Sequence, residues 1–297
     1  MNHPLVFAVE SNTKTVTSRT MHLETGDKFS VIQNSVETRY QLKLTPVRKA
    51  RDGTWTLHYE PMDRQEIMDV IDDDGHVSTT IHNLDIRSTR DDKVEVDTAA
   101  GVGYTQGKTL KEGVYPKLLS GFFDFKPDGE ISKVDGDLPF IDFWTDTIKY
   151  QVGFFDFIFP PNPVSRGDAW NANITLKDLQ GTIRLEGDGI LETNIFKRDE
   201  HAATAGPHIL AYAGSLLAHD TGLTGDMDLM GEETKVKITD FNHTKNGKYE
   251  YDPDAGCLSD GSQDENVTVT VELAYKGNPV TMKTELHITS KFQLMRD

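Results

Sequence analysis

The chain has 297 residues, of which 36% are hydrophobic and 27% charged, and its formal net charge is −17. This length can bury a core in one large domain or in two of ordinary size. The negative charge repels phosphate groups, which argues against nucleic acids and anionic lipid surfaces as partners. The single cysteine, Cys257, cannot form an intramolecular disulfide, and no stretch reaches the ~18 apolar residues of a membrane-spanning helix.

The first third of the chain predicts antiparallel β-hairpins. Residues 38–47 and 55–59 alternate between apolar and polar side chains, and Asp52-Gly53 between them is a strong hairpin signal. A second hairpin is predicted with residues 72–75 at its tip, and a third turns at residues 127–129. These hairpins favour a meandering sheet.

The aromatic segment in the middle of the chain predicts one short helix over residues 139–151. Ile141, Trp144 and Ile148 recur at helical spacing, and Gly153 ends the pattern. A strand is the alternative, because aromatic residues favour strands. The aromatic side chains either fill the core or line an apolar pocket between a curved sheet and this segment. The residues predicted to contact a hydrophobic ligand there are Phe140, Phe143, Trp144, Tyr150 and Phe155.

A proline-rich stretch, "FPPNPVSRGDAW", follows the aromatic segment. Residues 166–168 spell Arg-Gly-Asp, which some cell-surface receptors recognise in exposed loops. We favour a structural interpretation, in which glycine permits a turn and aspartate hydrogen-bonds the backbone where the next strand begins. The residues assigned to this boundary are Pro160, Pro163, Gly167, Asp168 and Trp170.

The remaining chain again alternates as strands, and residues 263–266 and the preceding residues 254–261 are predicted to form a polar loop between two of them. The predicted fold is therefore mainly β, with antiparallel sheets in two halves that form a sandwich or half-barrel around a short central helix. The predicted units are an N-terminal β half (1–136), a helix and proline-rich connector (137–163) and a C-terminal β half (164–297).

Two aspartate-rich stretches partly resemble calcium-binding loops. Asp72 and Asp74 precede Gly75, and Asp252 and Asp254 precede Gly256, but both stretches lack other ligands of an EF-hand loop. We interpret both as hairpin tips, with a weak surface Ca²⁺ site as the alternative. No nucleotide, zinc or serine-nucleophile motif occurs, and we expect no cofactor and no metal.

The order Phe-Pro, Pro-Val, Gly-Asp-x-Trp in residues 159–170 resembles a family of uncharacterised bacterial β-rich proteins that are secreted or lipoprotein-anchored. Residues 38–60 and 247–273 are similar to the early and late strand patterns of that family. The resemblance implies two β halves and a cell-envelope setting, and it assigns no catalytic residue. The chain as given shows neither a signal peptide nor the lipid-accepting cysteine of those proteins.

These observations predict a non-enzymatic, cell-envelope-associated protein that acts in binding or assembly and holds a hydrophobic ligand. Two alternatives are a structural subunit of a larger complex and a carbohydrate-active hydrolase that uses an acidic pair. The expected partner is a protein or a hydrophobic small molecule, without nucleic acid and without a membrane span. The expected location is periplasmic or secreted if an export signal has been removed, and cytoplasmic otherwise.

Overall fold

The computed structural model of the protein consists of antiparallel β-strands. It describes residues 3–82, 86–90, 93–97, 120–127, 131–136, 165–176, 178–179, 183–188, 190–198, 208–229, 232–252 and 257–295. The prediction of a mainly β, antiparallel protein is confirmed. No helix occurs among these residues, and the helix predicted over 139–151 lies outside them.

Sixteen strands are described, and several of them have about 20 residues. In chain order they are β1 (Leu5–Met21), β2 (Lys28–Lys49), β3 (Trp55–Ile71), β4 (Val77–His82), β5 (Ile86–Arg90), β6 (Lys93–Asp97), β7 (Gly121–Phe125), β8 (Ile131–Gly136), β9 (Ala169–Leu176), β10 (Asp178–Leu179), β11 (Ile183–Leu185), β12 (Ile190–Arg198), β13 (His208–Leu229), β14 (Glu232–Asp252), β15 (Cys257–Tyr275) and β16 (Asn278–Leu294).

All sixteen strands belong to one sheet. Its main path runs β10-β11-β13-β14-β15-β16-β1-β2-β3-β4-β5-β6. The first and last strands of the chain are central neighbours, paired without interruption from Phe7↔Leu294 to Met21↔Val280. This pairing joins strands from before residue 137 and after residue 163 in a single hydrogen-bonded array.

The tight turns follow from local sequence. Gly53, with a φ of 93°, closes the predicted β2–β3 hairpin. Lys276 and Gly277 link β15 to β16, and both have positive φ, 49° and 80°. Two consecutive positive φ angles are what a tight two-residue hairpin turn requires, and glycine adopts them without strain.

The prediction of a polar loop over residues 254–261 and 263–266 is wrong in its described part, because β15 begins at Cys257. Residues 263–266 lie in the middle of β15 and pair with β14 on one side and β16 on the other. Gln263 and Glu265 occupy positions that would be apolar in a regularly alternating strand, and polar side chains there hide the period-two pattern.

Buried side chains form two clusters on one face of the sheet, which we call the inner face. The first cluster lies where β1 begins and β2 and β16 approach their ends; it contains Phe7, Val9, Tyr40, Leu42, Leu44, Leu57, Tyr59, Phe123, Phe196, Tyr249, Leu258 and Phe292. The second lies towards the opposite ends of β14 and β15; it contains Ile183, Ile190, Met227, Val236, Ile238, Phe241, Val267 and Val271.

A β-bulge in β3 keeps apolar side chains on the inner face. The pairing with β2 shifts between Arg39↔Gln65 and Gln41↔Met62, and Asp63 in the bulge has a φ of 51°. One extra residue reverses the facing of every later side chain in the strand. Met68 and Val70 therefore share a face with the inner-facing residues of β2.

Candidate ligand-binding surface

Next to the two clusters, the inner face continues across four adjacent strands as a half-buried stretch of uncharged side chains, bounded on β3 by Glu66. We call it the open inner surface; it consists of Thr13, Thr15 and Thr17 on β1, Ile32 and Val36 on β2, Met68 and Val70 on β3, and Met282 and Leu286 on β16. The register places Thr15 opposite Leu286, and Val36 opposite both Thr13 and Met68. Apolar side chains and threonine methyl groups thus form a continuous surface that the protein covers only in part.

Asn34 lies in the middle of the open inner surface. It pairs with Thr15 on β1 and with Val70 on β3. Its Oδ1 atom is buried and accepts no hydrogen bond from the described residues. A buried amide oxygen without a donor costs stability, so this position is not optimised for folding alone.

Two cations bound the open inner surface near the β1–β2 turn. Arg19 is half-buried and lies opposite Ser30, and exposed Lys28 is two residues further along β2 on the same face. Within the described part of the chain, neither side chain forms an ion pair or a hydrogen bond. Asp27, in the adjoining turn, contacts the ring of His22 at 3.1 Å. At this end of the surface the inner face therefore carries two cations without a carboxylate partner among the described residues, and Glu24 and Asp27 lie in the adjoining turn.

A buried polar network borders the surface on the side of β14 and β15. His243 Nε2 lies 2.7 Å from Glu265 Oε1, and the two side chains are 6% and 14% exposed. Gln263 Nε2 donates to Glu265 Oε2 at 3.0 Å, and the Tyr249 hydroxyl donates to Gln263 Oε1 at 3.5 Å. Each oxygen of the Glu265 carboxylate is thus contacted by a different side chain.

The environment of Glu265 favours its charged form. Burial alone would raise the pKa of this carboxyl, but the hydrogen bond with His243, the charges of Lys245 and His243 and the hydrogen bond from Gln263 together hold it below its ordinary value. The Glu265 carboxyl is consequently ionised at neutral pH, and each of its oxygens has a hydrogen-bond partner.

A second charged cluster lies on the opposite, outer face. The Lys235 ammonium bridges Glu186 and Asp226, the latter at 2.8 Å, and Glu186 also accepts a hydrogen bond from Thr224. Hydrogen bonds to Asp226 and Glu186 raise the pKa of Lys235, and the hydrogen bonds from Lys235 and Thr224 lower the pKa of Glu186. This exposed cluster ties the turn after β11 to β13 and β14.

Seven of the residues predicted for the ligand pocket and the proline-rich boundary lie outside the described residues. They are Phe140, Phe143, Trp144, Tyr150, Phe155, Pro160 and Pro163. Their proposed contacts with a ligand, and their place at the boundary between halves, stay predictions.

The Arg-Gly-Asp tripeptide forms the turn before β9. Gly167 has a φ of 80°, and its amide donates to the Arg198 carbonyl at 2.9 Å. Asp168 Oδ2 accepts from the Ser165 amide at 2.7 Å, so this carboxylate fastens the turn. Trp170 is half-buried and stacks on Phe196 of β12 at a centroid distance of 5.5 Å.

The described aspartates among those considered for calcium lie in the β3–β4 turn and at the end of β14. Asp72 Oδ1 accepts from the backbone amides of Asp74, at 3.1 Å, and His76, at 2.9 Å, within the β3–β4 turn. Asp252 is 8% exposed and pairs with Cys257 at the junction of β14 and β15, and Asp254 lies outside the described residues. Among the residues that the structure describes, no group of three or more His, Cys, Asp or Glu side chains is placed to hold a metal ion.

Sequence reasoning did not find Arg19, Lys28 or the His243–Glu265 pair. The alternation Thr13, Thr15, Thr17 marks β1 as a strand and would have placed Arg19 on the same face. For His243 and Glu265 no comparable signal exists, because their contact depends on the register of two strands that each contain a bulge or irregularity.

No protein-family model and no curated protein matches the chain. It is similar to a solved structure described as "Lipid-protein interactions in lipovitellin", with 10% identity and a TM-score of 0.43 over 98% of this chain and 25% of that chain. The chain spans about a quarter of the length of that lipovitellin chain. Among the described residues, no helix is long and apolar enough to cross a membrane.

Proposed function

We propose that the protein is a non-enzymatic, cell-envelope-associated binding protein that holds a hydrophobic ligand against the open inner surface. The observation that carries this proposal is the half-buried stretch of uncharged side chains that adjoins two buried clusters on the same face. Contiguous apolar surface that a protein leaves partly uncovered marks a place where another molecule binds. Covering it with a ligand gains about 25 cal/mol for each Å² of apolar area removed from water.

The aromatic segment supplies the second wall in this proposal. Phe140, Phe143, Trp144, Tyr150 and Phe155 would face the sheet and enclose the ligand from the other side, as the sequence predicts. The cell-envelope setting comes from the family resemblance.

The polar network beside the surface lacks the acidic pair that the hydrolase alternative needs. Hydrolysis of a glycosidic bond uses two carboxyl groups on either side of the bond. Within the network the only carboxylate is Glu265, and His243 and Gln263 engage both of its oxygens. The His243–Glu265 contact joins β14 to β15, and the network offers no second carboxyl group beside Glu265.

Mass spectrometry of the purified protein, under native and then denaturing conditions, tests the proposal. We expect a co-purifying apolar molecule that organic extraction removes. Val36→Asp places a charge on the open inner surface and should abolish retention of that molecule. Ser35→Asp places the same charge on the outer face of the same strand and should not. Equal retention by both folded variants, or a wild-type protein that neither retains nor rebinds any apolar molecule, would refute the proposal.

The alternative function, a subunit of a larger assembly, is favoured by a different observation. Ile67, Ile71 and Val77 are 40%, 38% and 44% exposed on the outer face of β3 and β4. The register places Ile71 directly opposite Val77, so these side chains adjoin. Analytical ultracentrifugation of the wild type and of Ile71→Lys tests this function, which requires an oligomer that the substitution dissociates.

A further inference from the structure

We propose that Arg19 and Lys28 form the headgroup site of the open inner surface and that the ligand is a single long-chain carboxylate. This inference rests on the proposed function and adds the chemical class of the ligand. It assigns the carboxylate to the cationic end of the surface, and the hydrocarbon chain to the threonine and aliphatic side chains beyond it.

The register brings both cations within reach of one anion. Arg19 lies opposite Ser30, and Lys28 is the diagonal neighbour two residues from Ser30. Diagonal neighbours on one face of an antiparallel pair are about 7–8 Å apart, a span that long side chains bridge. A carboxylate between them can accept a bidentate pair of hydrogen bonds from the guanidinium and a further hydrogen bond from the ammonium.

The charge pattern along β1 makes Arg19 distinctive. Its inner-facing positions before Arg19 are Leu5, Phe7, Val9, Ser11, Thr13, Thr15 and Thr17. All of them are uncharged, so Arg19 is the first charge on this face of the strand. A half-buried guanidinium without an ion pair loses hydration and gains no compensating partner, which an anionic headgroup would supply.

The length of the surface suits one acyl chain. Arg19 and Thr13 are six residues apart, which corresponds to about 20 Å along a strand. A single acyl chain spans about 15 Å, half of the ~30 Å hydrocarbon core of a bilayer. A chain that starts at Arg19 therefore ends on the open inner surface, before it reaches the buried cluster around Val9 and Tyr40.

A fluorescent 18-carbon polyene acid and its neutral methyl ester separate headgroup recognition from apolar binding. Both are titrated into the delipidated full-length protein. Arg19→Met should weaken binding of the acid about tenfold or more, because a charge-assisted hydrogen bond is lost. Binding of the ester should change by less than about twofold. Arg19→Lys, which keeps the charge, should recover part of the affinity for the acid.

Lys14→Met is the matched control. Lys14 lies on the same strand as Arg19, is exposed and faces the outer side. Lys14→Met removes one positive charge, as Arg19→Met does, but its affinities for the acid and for the ester should stay within about twofold of those of the wild type. Lys28→Met is a second headgroup variant, and it should fold normally because Lys28 is exposed. It should weaken binding of the acid and leave binding of the ester unchanged.

The outcomes separate the two proposals. If acid and ester bind the wild type and both headgroup variants alike, the headgroup site is wrong while the hydrophobic surface stands. If neither probe binds the folded wild type, the proposed function fails and the inference fails with it. If Lys14→Met weakens acid binding as much as Arg19→Met, the effect is one of net charge and the headgroup assignment is overturned.

Discussion

Gly261→Ala tests whether the first buried cluster is packed as described. A Cβ atom at position 261 would lie 2.3 and 2.5 Å from two ring atoms of Phe292 and 2.8 Å from a ring atom of Tyr249. Both rings are only 3% exposed. Phe292 also packs edge-on against Phe7, with centroids 5.9 Å apart, so its ring has no free direction in which to move.

The expected loss of stability follows from these contacts. Overpacking a core typically costs about 1–3 kcal/mol, and two blocked rings place this site near the upper value. Gly261 lies within a strand and lacks a positive φ, so alanine fits the backbone there. Alanine also lowers the conformational entropy of the unfolded chain, which stabilises the folded state by about 0.4–1 kcal/mol and offsets part of the loss. The net expectation is a free energy of unfolding lower by about 2 kcal/mol.

Urea unfolding followed by tryptophan fluorescence measures this difference. Ser262→Ala, next in sequence and exposed on the outer face, is the control and should stay within about 0.5 kcal/mol of the wild type. In a Phe292→Leu background the cost of Gly261→Ala should shrink, because the smaller side chain leaves room for the methyl group. If Gly261→Ala alone unfolds within about 0.5 kcal/mol of the wild type, the description of this cluster is wrong.

Three further predictions concern the polar network, the open inner surface and the turn before β9. Glu265→Gln should lower the free energy of unfolding by about 2 kcal/mol at pH 7, since it breaks a buried pair. Because folding lowers the pKa of Glu265, its carboxylate stabilises the fold at a pH above about 4.5, the pKa in the unfolded chain, and this stabilisation is lost as the pH falls through the pKa in the folded chain. Chemical denaturation from pH 7 to pH 3 should therefore show that the difference in the free energy of unfolding between variant and wild type shrinks. Asn34→Val should raise the free energy of unfolding by about 1 kcal/mol, because it removes a buried oxygen without a donor. Trp170→Ala should cost about 2 kcal/mol, as a half-buried ring stacked on Phe196 would, and Arg166→Ala, at an exposed position, less than about 0.5 kcal/mol.

Each of these predictions has a result that contradicts it. A Glu265→Gln difference that stays constant down to pH 3 would mean that the carboxyl is not held ionised. Destabilisation by Asn34→Val would show that Asn34 has a partner that folding requires. Loss of partner binding in Arg166→Ala at unchanged stability would favour the receptor interpretation of the Arg-Gly-Asp tripeptide.

Local hairpins were predictable because their determinants are adjacent in sequence. Asp52-Gly53 and Gly75 specify turns through their own backbone preferences, and the flanking residues alternate in period two. The error at residues 263–266 has a physical cause: Gln263 hydrogen-bonds Glu265 along β15 and Glu265 contacts His243 on β14, so these side chains do not need a solvated loop.

By itself the sequence determined the β class, the main turns and the acidic surface, because propensity, periodicity and net charge are properties of neighbouring residues or of composition. Tertiary structure alone decided that β1 and β16 pair, that the bulge at Asp63 turns Met68 inward, and that Arg19 and Lys28 are diagonal neighbours at one end of the open inner surface. Those outcomes depend on register between strands that are up to about the whole chain apart, and a shift of one residue would move every one of these side chains to the other face.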